Sequence, residues 1–88
     1  MKELLHDVRV KIIETLNLVD VQPDEIKEDE ILVGGELEID SIDVLELVVM
    51  IEEVYGVRIA SQEIGREVFM TFKTLATYIH DNSPKFQD

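Results

Sequence analysis

The stretch GGELEIDSIDVLELVVMIEEVYG, residues 34–56, decides how the chain is read. Two glycines and an acidic approach lead to Asp40, a favoured N-cap that makes Ser41 the first residue of a helix. Gly56, suited to the left-handed turn that closes a helix, ends it. Within the helix, Leu45, Val48, Ile51, Glu52 and Tyr55 share one side, and Ile42, Leu47 and Met50 thicken the apolar band. Asp43, Glu46 and Glu53 lie opposite, with Val44 and Val49 expected among them at the surface. Ser41 is the puzzle, because Asp40 already suffices as a cap. A helix's first turn leaves backbone N–H groups unpaired and concentrates positive potential, a setting that suits phosphate. The serine is therefore either an ordinary helix-start residue or a point of phosphate-ester attachment.

Working outward, residues 2 to about 18 form a first helix on the spacing of Leu5, Val8, Ile12 and Leu16, widened by Leu4 and Ile13. A long connection follows, punctuated by Pro23, Gly34 and Gly35, with Val21, Ile26, Ile31, Leu32 and Leu37 available to pin it to a core. Connections of this length in a small domain are more often functional than idle. Beyond Gly56, Ser61 is a possible cap for a short helical turn that Gly65 would break. Thr71 caps a last helix whose Phe72, Leu75, Ala76 and Ile79 face inward. No repeat or persistent strand pattern interrupts this. The expected fold is all-α: a small four-helix bundle of three main helices and a short third one, with a long first loop. Residues 1–80 make the domain, and 81–88 read as a frayed tail.

The 88 residues carry a net charge of −12, and its distribution is uneven. Residues 20–53 hold thirteen acids against the single base Lys27, so the loop and the second helix carry the whole excess. That sign argues against nucleic-acid phosphates and for a partner with a basic patch. The same crowding predicts that screening salt stabilises the fold. With no cysteine, the chain has neither disulfides nor a thiol of its own. The longest apolar run, Leu47 to Ile51, is too short to span a membrane, and the N-terminus resembles no leader, so a cytoplasmic protein is expected. His6 and His80 have no metal-ligand partner at useful spacing. Ser41 lacks a nearby general base, the P-loop lysine is missing, and "DEIKEDE" lacks the ligand pattern of a calcium loop. No catalytic or metal site is expected.

"IDSIDVLELVVMIEEVYGVRI" resembles the acyl carrier proteins, whose attachment motif is Asp-Ser-Leu followed by an acidic residue and an apolar helix. The order of segments follows that family over nearly the whole chain, from the first helix through "VQPDEIKEDEIL" to "TFKTLATYI". The resemblance implies that Ser41 accepts 4′-phosphopantetheine from coenzyme A, with Asp40 as the motif aspartate before it. It implies an acidic second helix read by partners, with Ile42, Asp43, Val44, Glu46, Val49, Glu52 and Glu53 as the recognising residues. Those partners would be a phosphopantetheinyl transferase and the acyl-loading and acyl-processing enzymes of fatty acid, polyketide or related biosynthesis, each with a basic docking patch. A monomeric carrier without enzymatic activity is implied, bound to neither nucleic acid nor membrane. The chain departs from the pattern at Ile42 for leucine, Glu38 where a glycine is expected, Ala60 for a common proline, and "GREVFM", which lengthens the approach to the last helix. These departures point to a specialised rather than a housekeeping carrier. A different class also fits the charge: a cofactor-free acidic helical adaptor for a basic protein.

Overall fold

A computed structural model describes residues 2–35, 37–60 and 62–84, apart from the side chain of Gln62. Its four helices are α1 (Lys2–Leu16), α2 (Ser41–Tyr55), α3 (Gln62–Val68) and α4 (Phe72–Asn82). Among the described residues there is no strand, only isolated bridges pairing Ile31 with Thr71 and Val33 with Ile39. The expected four-helix architecture is therefore present. α1 packs against α2 and α4, and α3 packs on α4.

On α1 the innermost stripe is Leu4, Val8 and Ile12, with Leu5, Ile13 and Leu16 on its flanks. The helix closes earlier than residue 18 because Asn17 adopts a left-handed φ of 56°. Asparagine is one of the few residue types that tolerate this conformation. The Asn17 and Leu18 amides then donate to the carbonyls of Glu14 and Ile13 at 3.3 and 3.0 Å, the paired bonds of a Schellman closure.

The long connection is anchored at several points along its described residues. It contains one 3₁₀ turn, Pro23–Glu25, and buries Ile26, Leu32 and Ile39. Arg9 of α1 holds it from below: Nε donates to the Ile26 carbonyl at 2.6 Å, and the guanidinium lies 4.8 Å from the centre of the Phe72 ring. Further on, the carbonyls of Glu28 and Glu30 accept from the Lys73 and Phe72 amides at 2.8 and 2.9 Å, strapping the loop across the start of α4. Gly35 is required by close approach, since a Cβ there would stand 2.2 Å from the Ile31 carbonyl oxygen. Glu38, where glycine was expected, has a left-handed φ of 56°.

α2 sits rotated from the sequence expectation. Leu47, Met50, Ile51 and Tyr55 are its buried residues. Leu45, assigned inward, is 66% exposed, and Val44, assigned outward, is half-buried against the core. The cause is compositional. α2 has apolar residues on most of its circumference, so spacing alone fixes no single inward direction. Gly56 closes the helix with a left-handed φ of 70°. Tyr55, at its last turn, hydrogen-bonds Asp7 of α1 through its hydroxyl. Burial, and then that carboxylate partner, raise the Tyr55 pKa well above the ordinary tyrosine range.

Gly65 does not break α3. The helix runs through it, and the Gly65 carbonyl accepts from Phe69 N–H at 2.9 Å. The cap expected at Ser61 lies outside the described residues. α4 begins at Thr71 as expected and buries Phe72, Leu75, Ala76 and Ile79. It continues to Asn82, beyond the expected start of the tail. Ser83 is fully buried, its hydroxyl donating to the Tyr55 carbonyl at 2.5 Å. That bond satisfies a C-terminal carbonyl of α2 and holds residues 81–83 in the fold. Residues 85–88 of the expected tail lie outside the described residues.

Candidate functional site

The local sequence builds a defined start to α2. Asp40 accepts from Asp43 N–H at 2.9 Å, and Asp43 returns the bond to Asp40 N–H at 3.1 Å, a complete capping box. The box leaves Ser41 outside it. Its side chain is exposed, and its hydroxyl has no hydrogen-bond partner among the described residues. The amides of Ser41 and Ile42, at the first two helical positions, likewise have no acceptor among the described residues. An exposed hydroxyl beside two open N–H groups suits a phosphate ester: the oxygen is accessible, and the amides can face the negative charge.

On one flank of Ser41 lies a groove of about 840 Å³. Val44 and Val48 of α2 form one wall; Gly65 of α3 with Phe69 and Met70 forms the other, and Ile31 and Val33 of the loop border it. On the other flank, helical spacing brings Ile42, Leu45, Glu46, Val49 and Glu53 onto one outward face. Val49 is 54% exposed, as expected, Ile42, which its spacing placed with the apolar band, is 66% exposed, and Glu46 and Glu53 are exposed beside them.

The expected recognition residues therefore separate. Ile42, Glu46, Val49 and Glu53 come together. Val44 turns into the groove, Asp43 is engaged in the cap, and exposed Glu52 pairs with Arg58 at 3.3 Å. Sequence reasoning missed Leu45, which borders both the groove and the outward face. The available signal was the surplus of apolar residues on α2, more than one buried face accommodates. His80 lies beside Asp81, its Nδ1 3.3 Å from the carboxylate. Among the described residues there is no cluster of potential metal ligands, and no helix is long and apolar enough to cross a membrane.

The described residues thus form a helical bundle with an exposed serine at the head of an acidic helix, and a phosphate-borne tether is a class of function this arrangement suits. The comparisons with known proteins agree. The family model described as a phosphopantetheine attachment site matches residues 6–79. The chain is 35% identical over 79 residues to an acyl carrier protein of Campylobacter hominis, covering 90% of this chain and 92% of that one. It is 34% identical over 79 residues to one from Wolinella succinogenes, covering 90% and 96%, and 42% identical over 60 residues to one from a Sulfurovum species, covering 68% and 75%. No solved structure matches the chain significantly. The chain belongs to the acyl carrier protein family, whose members are carriers rather than enzymes and bear a covalent 4′-phosphopantetheine.

Proposed function

We propose that Ser41 is the attachment residue and that this carrier presents acyl intermediates of fatty acid, polyketide or related biosynthesis to partner enzymes. The observation that carries this reading is the contrast within one helix turn: Asp40 and Asp43 complete the cap, while the Ser41 hydroxyl stays exposed and unengaged. In the attachment step the Ser41 oxygen forms a bond to the phosphorus on the pantetheine side of coenzyme A. The pyrophosphate P–O bond breaks, adenosine 3′,5′-bisphosphate leaves, and the hydroxyl proton passes to the transferase. The arm supplies a thiol for thioester linkage, chemistry that a chain without cysteine cannot provide. Asp40 keeps the helix start rigid, so that the oxygen is offered at a fixed place. The open Ser41 and Ile42 amides favour the resulting phosphodiester charge.

Partner enzymes dock on the outward face of α2. Ile42, Leu45 and Val49 give apolar contact, while Glu46 and Glu53 steer basic patches toward it. The carrier works as a monomer in the cytoplasm, and tethering raises the effective concentration of cargo at each active site. The test is intact mass after incubation with coenzyme A, Mg²⁺ and a broad-specificity phosphopantetheinyl transferase, with Ser41→Ala alongside. A gain of one phosphopantetheine on the wild type alone is expected. No gain on folded protein across several transferases would instead favour a cofactor-free acidic adaptor.

A further inference from the structure

We infer that Arg66 of α3 binds the phosphodiester of the arm, its guanidinium pairing with the phosphate on Ser41 and turning the root of the arm toward α3. The inference rests on Ser41 as the attachment residue.

The chain has three arginines, and two are committed within the fold. Arg9 donates to the Ile26 carbonyl and lies over the Phe72 ring. Arg58 pairs with Glu52 at 3.3 Å. Arg66 is exposed and has neither a hydrogen bond nor an ion pair among the described residues. Glu63 stands three residues before it on α3, a spacing at which opposite charges often meet, yet the two form no ion pair.

Position gives this unused cation a direction. Arg66 and Ser41 border the same groove, and Arg66 is the one charged residue among its described lining. The acids Glu46 and Glu53 border the outward side of α2 instead. A phosphodiester on Ser41 is a permanent anion placed beside Asp40 and Asp43, whose carboxylates repel it. Arg66 supplies the opposite charge from the groove side, and the planar fork of a guanidinium matches two phosphate oxygens. The ordinary reason for a base at this position is that it complements the dipole in the last turn of α3. The two roles differ in when they act. A dipole partner stabilises the protein with or without the arm, whereas a phosphate partner acts only once the arm is attached.

The test is a cycle of Tm values for apo and holo forms of wild type, Arg66→Gln, Arg66→Lys and Arg58→Gln, at low and high salt. Intact mass first establishes one phosphopantetheine on each holo sample. Arg58→Gln makes the same change of charge beyond the other end of α2, outside the groove. In wild type, attachment should leave Tm unchanged or raise it. In Arg66→Gln it should lower Tm by a few degrees at low salt, and high salt should remove the difference because exposed charges are screened. Arg66→Lys, which keeps the charge and loses the fork, should recover part of it. Arg58→Gln should shift the apo and holo forms equally. By NMR, the Arg66 Nε–H of wild type should exchange with water several-fold more slowly in the holo than in the apo form. Equal effects of the arm in wild type and Arg66→Gln would overturn the inference and leave Arg66 a dipole partner. The same arm-dependent loss in Arg58→Gln would also overturn it, by making net charge the cause, as would unchanged Nε–H exchange. Absence of any mass gain would overturn the Ser41 reading itself, before any Tm is compared.

Discussion

α2 and α4 begin with the same device and present different ends to their surroundings. Asp40 with Asp43, and Thr71 with Thr74, each complete a capping box. At α4 the remaining early amides are occupied as well, Phe72 by the Glu30 carbonyl and Lys73 by the Glu28 carbonyl. At α2 the corresponding amides of Ser41 and Ile42 have no acceptor among the described residues. The lateral faces differ in the same way. α4 buries Phe72, Leu75, Ala76 and Ile79, whereas α2 leaves Ile42, Leu45 and Val49 exposed. A helix whose donors and apolar residues are all satisfied internally is part of the frame. One that keeps both kinds of group available is suited to an external ligand or partner.

The sharpest way to break this comparison is to remove one hydroxyl from each helix start. Thr71 Oγ1 accepts from Thr74 N–H at 3.2 Å, so Thr71→Ala should lower stability by about 1 kcal/mol in urea denaturation and leave attachment of the arm intact. Ser41→Ala should do the reverse. Attachment is abolished, and stability changes by less than about 0.5 kcal/mol, because no bond within the described protein is lost. Equal destabilisation by the two variants would make Ser41 a structural residue and remove the contrast.

The next test divides the two leucines of α2. Leu47 is fully buried, and Leu47→Ala should cost about 2–5 kcal/mol. Leu45 is largely exposed, so Leu45→Ala should stay within about 0.5 kcal/mol of wild type while slowing loading by the transferase. A large stability loss at Leu45 would return it to the core, where its spacing had suggested it belonged.

The two leucines also show how far the sequence carries. For α4 the apolar positions fall on one stripe with polar residues around it, so its buried face was readable in full. α2 offers apolar residues in nearly every direction, and only the packing of α1 and the loop decides which of them turn inward. The proposal for Ser41 draws on signals already in the sequence, since the cap residue, the acidic helix and the segment order point to the same place. The groove was not legible there, since it depends on Gly65 continuing a helix that a glycine was expected to end. Arg9 was equally hidden: its bond to Ile26 and its position over Phe72 join residues far apart in the chain.

The C-terminal ends of the two helices, unlike their starts, are joined. Ser83 after α4 donates to the Tyr55 carbonyl of α2, and the Tyr55 hydroxyl bonds Asp7. Tyr55→Phe removes only the second of these links and should lower stability by about 1 kcal/mol near neutral pH. A pH effect accompanies it. Because the folded state raises the Tyr55 pKa, the protonated phenol binds its proton more tightly in the fold than in the unfolded chain. Stability from this group is fully present below the ordinary tyrosine pKa of about 10 and declines as pH rises above it. Tyr55→Phe should therefore flatten the alkaline limb of a stability–pH curve, and an unchanged limb would show that other groups produce it.

The smallest effect concerns the acids that distinguish the surroundings of α2 from those of α4. Glu46 is exposed on the outward face, where removing a negative charge and adding a positive one opposes a basic partner. Glu46→Lys should slow transferase loading several-fold at low salt, with the gap to wild type narrowing as salt rises, because exposed charges are screened within about 10 Å at 0.1 M. The fold should tolerate the change, since Glu46 forms no ion pair or hydrogen bond within the described residues and reversal of its charge relieves local repulsion. Equal loading rates at low salt would mean that the acidic face does not steer this partner. The stabilising effect of added salt would then be the main consequence of the charge that the loop and α2 share.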